Sequence, residues 1–320
     1  MGHNNSRKNK KGWAAGIITL CAMIGIFLLL ASAGCTGRPE APAYGGEGTA
    51  PLTVAVTILP QKQFVEEIAG DYARIIVLVP PGASPHTYEP TVKQLEEISS
   101  ADVYFKVGSG IDVERVWMDK LGGINTAMTI VDTSAGIQFI AGGHDDETGS
   151  GAEHASGHEG SDPHIWLSPR NAQVMVENTF QGLASADPAH AGIYRVNADT
   201  YIAKLAALDR NITREIDRAH IRTFMVYHPA WSYFARDYGL VQVPIETDGK
   251  EPTPAGIENL IRKAKEENIT VIFASPESST KSANVIADEI GGEVVLVSAL
   301  DENYRENIKN VAEAFARSGR

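Results

Sequence analysis

The sequence predicts an α/β protein of two lobes, each a four-stranded parallel sheet flanked by helices, joined by one long rigid helix. Three observations carry this. Short apolar segments alternate with helical ones from residue 52 to 131. The same alternation returns between 222 and 317. Between them runs a helical pattern with no Gly or Pro after Gly192. Short apolar strands alternating with helices imply parallel sheets covered on both faces.

In the first lobe, 52–58, 74–79, 102–107 and 128–131 read as strands, and 61–69, 91–100 and 113–121 as helices. Gly70 ends the first helix, and Thr91 with Gln94 has the spacing of a capping box. Ser168-Pro169 opens a helix to about 186, with Ser as N-cap and Pro at the first helical position. Asp187-Pro188 repeats the signal and starts the long helix, in which Tyr201, Leu205, Leu208 and Ile212 form one apolar stripe. About 28 residues of helix span roughly 42 Å, enough to serve as a spine. Strands at 222–227, 240–245, 270–275 and 293–297 alternate with helices at 231–238, 254–267, 279–290 and 303–317. The expected organisation is therefore 51–186 for the first lobe, 187–220 for the linking helix and 221–320 for the second lobe.

The N-terminus reads as an export signal. A basic stretch at 7–11 precedes an apolar one at 13–30, and small residues at 31–34 lead to Cys35. The ending resembles a lipobox with Cys35 as the lipidated residue, although Ser32 stands where an aliphatic side chain is usual. The alternative is an uncleaved transmembrane anchor. Either places the rest of the chain outside the cytoplasmic membrane. Residues 36–50, rich in Gly, Pro and Ala, read as a flexible spacer.

Composition narrows the function. The 320 residues are 43% hydrophobic and carry a net charge of −12, which falls to about −16 once the four basic groups of residues 1–35 are set aside. Such a surface repels phosphate backbones, so no nucleic-acid partner is expected. Both cysteines, Cys21 and Cys35, lie in the signal region. A thiolate metal site and a cysteine nucleophile are thereby excluded from the domain. A monomer is expected.

The histidines sort by context. His86 (PPGASPHTYEP) and His228 (VYHPAW) follow strands directly, and His164 (SDPHIWLSP) precedes a helix start. Each is flanked by Pro and an aromatic residue, at the edges where a cleft between lobes would form, beyond the carboxyl ends of strands. Neutral imidazole is a good zinc ligand. Singly, each would be an ordinary hydrogen-bonded histidine; their joint placement argues for a metal site. His144, His154 and His158 form a second group in the loop 141–161, among Asp and Glu, which reads as a solvated loop or a weak auxiliary metal tether. His190 and His220, at the two ends of the long helix, read as structural or surface groups.

The segments PPGASPHTYEPTVKQL, SDPHIWLSPRNA, VYHPAWSYFARDYGL and IRKAKEENITVIFASPESSTKSANVIADEIG resemble, in this order, the zinc/manganese-binding solute receptors of ABC transporters. The likeness covers residues 52–320. It implies two α/β lobes on a rigid helix with metal between them, His86, His164 and His228 as ligands, and an ABC permease as partner. The acidic, His-bearing loop resembles the zinc branch, so Zn2+ is the expected cargo and Mn2+ the alternative. Surface lipoproteins of this kind can also act in cell adhesion. One departure stands out. Where the family offers a carboxylate after the last strand, this chain has Ser298 in Val-Ser-Ala-Leu. The fourth position then falls to water, Glu277 or Asp301. Three imidazoles and water on zinc also form the site of a hydrolase, but no HExxH motif is present, and a non-enzymatic receptor is the expectation.

Overall fold

The computed structural model describes residues 50–141, 160–247, 249–276 and 279–318. Cys35, His144, His154, His158 and Glu277 lie outside the described residues. From Ala50 onward the chain is one compact unit.

The first sheet comprises β1 (Leu52–Val56), β2 (Ala73–Val77), β3 (Val103–Lys106) and β4 (Thr129–Asp132), in the order β2-β1-β3-β4. The second comprises β5 (Thr223–Val226), β6 (Val241–Pro244), β7 (Val271–Ala274) and β8 (Glu293–Leu296), in the equivalent order β6-β5-β7-β8. All pairings are parallel. Each order reverses beside its first strand, and such a reversal opens a crevice at the carboxyl ends.

Helices cover the sheets: α1 (Leu59–Ala69), α2 (Val92–Ser99), α3 (Asp112–Ile124) and α4 (Pro169–Ala186) in the first lobe. The second lobe carries α6 (Ser232–Tyr238), α7 (Pro254–Glu266), α8 (Lys281–Ile290) and α9 (Tyr304–Ser318). The first helix starts earlier than the sequence predicts. Pro60 lies in its first turn, where an amide hydrogen has no intrahelical partner and none is lost. At α2 the capping box forms as expected: the Gln94 amide donates to Thr91 Oγ1 at 3.3 Å, and the Thr91 amide donates to Gln94 Oε1 at 3.1 Å. Ser168 Oγ caps α4 by accepting from the Asn171 amide at 3.0 Å.

The spine is α5, Ala191–Ala219, 29 residues long and preceded by a 3-10 turn over Pro188–His190. Its buried stripe, Tyr194, Ala198, Tyr201, Leu205, Leu208, Ile212 and Ile216, packs against α1, α4 and α9. One hydrophobic core therefore runs from Val54 in the first sheet to Phe315 in α9, and a smaller one around Met225, Ile272 and Ile286 covers the far face of the second sheet. None of the described helices is long and apolar enough to cross a membrane.

Candidate metal centre

Three histidines from different parts of the chain converge. His86 sits in the proline-rich loop after β2. Ser84 Oγ accepts from the His86 amide at 3.3 Å, and the Pro85 carbonyl accepts from Val113 at 3.1 Å, tying this loop to the start of α3. His164 precedes a 3-10 turn over Ile165–Leu167. His228 follows β5 directly. There the Glu246 amide donates to the Tyr227 carbonyl at 3.1 Å, continuing the pairing of β5 with β6 and carrying Glu246 alongside His228.

Each imidazole has a carboxylate on its Nδ1. The contacts are His86 to Asp112 Oδ2 at 2.8 Å, His164 to Asp162 Oδ1 at 2.8 Å and His228 to Glu246 Oε1 at 2.5 Å. A carboxylate can only accept, so the neutral ring carries its hydrogen on Nδ1 and leaves Nε2 as a lone pair. The three Nε2 atoms turn toward one another, 3.1 Å from His86 to His164 and 3.2 Å from His164 to His228. Lone pairs in that arrangement repel, and a shared cation removes the repulsion. Tetrahedral zinc with bonds of about 2.0–2.1 Å needs ligand atoms about 3.3 Å apart, close to this spacing. Among the described residues, these three histidines are the group of His, Cys, Asp and Glu side chains able to hold one ion.

The electrostatics agree with the geometry. Burial pushes the His86 pKa down to about 4, and repulsion from His164 adds to this, outweighing the opposite pull of Asp112. Burial works against the Asp162 charge, yet His164 and the hydrogen bonds the carboxylate accepts hold it below the usual range. Asp162 and His164 are both buried, whereas the His86 and His228 side chains keep 26% and 28% exposure, which leaves the site a face toward solvent.

Asp112 is placed by the interior of the first lobe. Two residues along α3, the buried Glu114 carboxylate accepts from the Val107 amide at 2.6 Å, the Gly108 amide at 2.9 Å and the Thr57 hydroxyl. Burial raises its pKa, and these donors counter that. The loop after β3 and the start of α3 are thus held together.

The other residues marked in the sequence have different company. Ser298 Oγ accepts from the Leu300 amide at 3.1 Å, and Asp301 Oδ1 accepts from the Asn303 amide at 2.8 Å. Asp301 does not join the histidine cluster. His190 pairs with Asp187 at 2.6 Å and stacks on Tyr72, and His220 ends α5 in a left-handed conformation, so both serve the ends of the spine. Sequence reasoning missed Asp112, Asp162 and Glu246. Asp162, two residues before His164, was open to local reading. Asp112 and Glu246 reach their histidines only through the packing of α3 and the pairing of β6.

Comparison with known proteins adds independent findings. The model of the family described as "Zinc-uptake complex component A periplasmic" matches residues 54–318. The chain is 32% identical over 298 residues to the high-affinity zinc uptake system protein ZnuA of Bacillus subtilis, covering 92% of this chain and 91% of that protein. It is 30% identical over 268 residues to the zinc-binding lipoprotein AdcA of Streptococcus pneumoniae, covering 81% of this chain but 52% of AdcA, about half its length. A crystal structure of a ZnuA superposes with a TM-score of 0.77 at 37% identity, covering 85% of this chain and all of that one.

Proposed function

The chain belongs to the family of periplasmic zinc-uptake components, and we propose that it captures zinc outside the cytoplasmic membrane and hands it to an ABC importer. The observation that carries the reading is the convergence of three Nε2 lone pairs whose rings each spend Nδ1 on a carboxylate. His86, His164 and His228 are then the ligands. A set of imidazoles suits zinc, whereas manganese favours more oxygen donors. The fourth position goes to water or to a donor outside this trio, with Ser298, Asp301 and Glu277 as the candidates.

The bound ion is cargo, so the protein's part is to hold it and release it without turning anything over. Its partner is the membrane permease of the importer, and a tether at Cys35 keeps it at the membrane surface, as the description of AdcA as a lipoprotein supports. The first lobe, the linking helix and the second lobe take residues 51–186, 187–220 and 221–320. His144, His154 and His158 gather metal weakly.

Zinc titration against a competing chelator tests this. His228→Ala should weaken binding by orders of magnitude, whereas deletion of residues 144–159 should leave the tight phase in place. Equal losses in both proteins would refute the division between main site and loop.

A further inference from the structure

His164 is the most buried of the three histidines and the one shared by both Nε2 contacts. The segment that carries it, 162–168, leads into α4 of the first lobe, yet much of its hydrogen bonding comes from the second. Trp166 Nε1 donates to the Ala299 carbonyl at 2.7 Å, Tyr304 donates to the Trp166 carbonyl at 2.8 Å, and Ser168 Oγ donates to Asp237. Closest to the ligand are two residues of α6. The Tyr233 hydroxyl donates to the Asp162 carbonyl at 2.8 Å and accepts from the Ile140 amide at 3.2 Å. The Ser232 hydroxyl, which accepts from Gln242 Nε2 at 3.1 Å, lies near the Asp162 carboxylate and helps to hold its pKa down. Asp162 in turn accepts from both the amide and the ring of His164, at 2.9 and 2.8 Å.

We propose that Tyr233, supported by its neighbour Ser232, is a positioning residue for the cargo site, fixing Asp162 so that His164 presents Nε2 to the other two imidazoles. α6 begins four residues after His228, so one short stretch of the second lobe sets two of the three ligands: His228 directly, and His164 through Asp162. Tyr233 also ties Ile140 to Asp162, because the Asp162 amide donates to the Ile140 carbonyl at 3.0 Å while the phenol bridges the same two residues. Without these contacts Asp162 keeps its charge and its bonds to His164 and Ile140 but loses its tie to α6, so the His164 ring is held less firmly. His86, placed by Asp112 and the first lobe, is then the ligand whose distance depends on how the two lobes meet.

The inference rests on the zinc-site reading, and the experiment separates the two. Zinc affinity and the visible ligand-field spectrum of the cobalt-loaded protein are measured for the wild type, Tyr233→Phe, Ser232→Ala, His164→Ala and Tyr238→Phe. Tyr238 is the control, since its hydroxyl donates a comparable bond from the same helix to Asp209, away from the site. Tyr233→Phe and Ser232→Ala should each weaken zinc by about tenfold, the lower end of what outer partners of metal-bound histidines contribute. Both should alter the cobalt spectrum, and Tyr238→Phe should change neither readout. Wild-type affinity and spectrum in Tyr233→Phe and Ser232→Ala, or an equal loss in Tyr238→Phe, overturns the proposal. Should Tyr233→Phe fail to fold, Ser232→Ala decides alone. Wild-type binding by His164→Ala would instead bring down the cargo-site reading itself.

Discussion

At the scale of single residues, the site depends on which nitrogen of each ring holds the hydrogen. Asp112, Asp162 and Glu246 decide that, and Asp162 is the most committed because it also accepts from the His164 amide. Asp162→Asn removes the charge while keeping the shape. Zinc affinity should fall about 10–100-fold, as for outer-shell partners generally, with little change in melting temperature; calorimetry and thermal denaturation read the two separately, and an unchanged affinity would count against the role. Protons compete at the same atoms. The His86 pKa lies near 4 in the folded protein against an ordinary 6.5, so between those values the unfolded chain takes up a proton that the folded one refuses. The stability of the metal-free protein should therefore be intact above about pH 6.5 and decline as pH falls toward 4. A His86→Gln protein should lose less over that window in melting experiments, and parallel curves would contradict the assignment.

At the scale of elements, the sheets work because helices approach them closely at chosen points. Gly182 in α4 faces Phe105 of β3, and a Cβ there would lie 2.5 Å from the ring. Gly182→Ala should cost about 1–3 kcal/mol by overpacking, measurable in denaturant unfolding. Gly108 follows β3 at φ +81°, and a side chain would run into Asp132, so this turn, which Glu114 holds against α3, needs glycine. Much of this level was legible in the sequence. The alternation of apolar strands and helices, the capping box at Thr91 and the Ser168-Pro169 start are local signals, and the structure forms them where local physics puts them. What could not be read was the company each histidine keeps. The context of His86, His164 and His228 marked them, and the structure brings them together. Their carboxylates, and Tyr233 beneath Asp162, come from elements whose proximity is a product of strand order and helix packing, which leave no trace in neighbouring residues. Ser298 and Asp301 stand as possible fourth donors on their place after the last strand, and the structure shows their oxygens accepting from nearby amides.

At the scale of the whole molecule, the two sheets share a core through α5 rather than folding as separate bodies. Leu205 sits fully buried midway along that helix. Leu205→Ala should remove about 2–5 kcal/mol and lower the stability of both lobes in one transition, as seen by probes placed in each; separate transitions would show that the lobes fold independently. A shared core also holds the ligands of the two lobes in one body, which limits the ordering cost of capture. Zinc-edge anomalous diffraction from crystals of the zinc-loaded protein tests this account most directly. It should place one strong peak about 2.0–2.1 Å from Nε2 of His86, His164 and His228 together. A peak elsewhere, or one bound through Nδ1 with the carboxylates displaced, would contradict it.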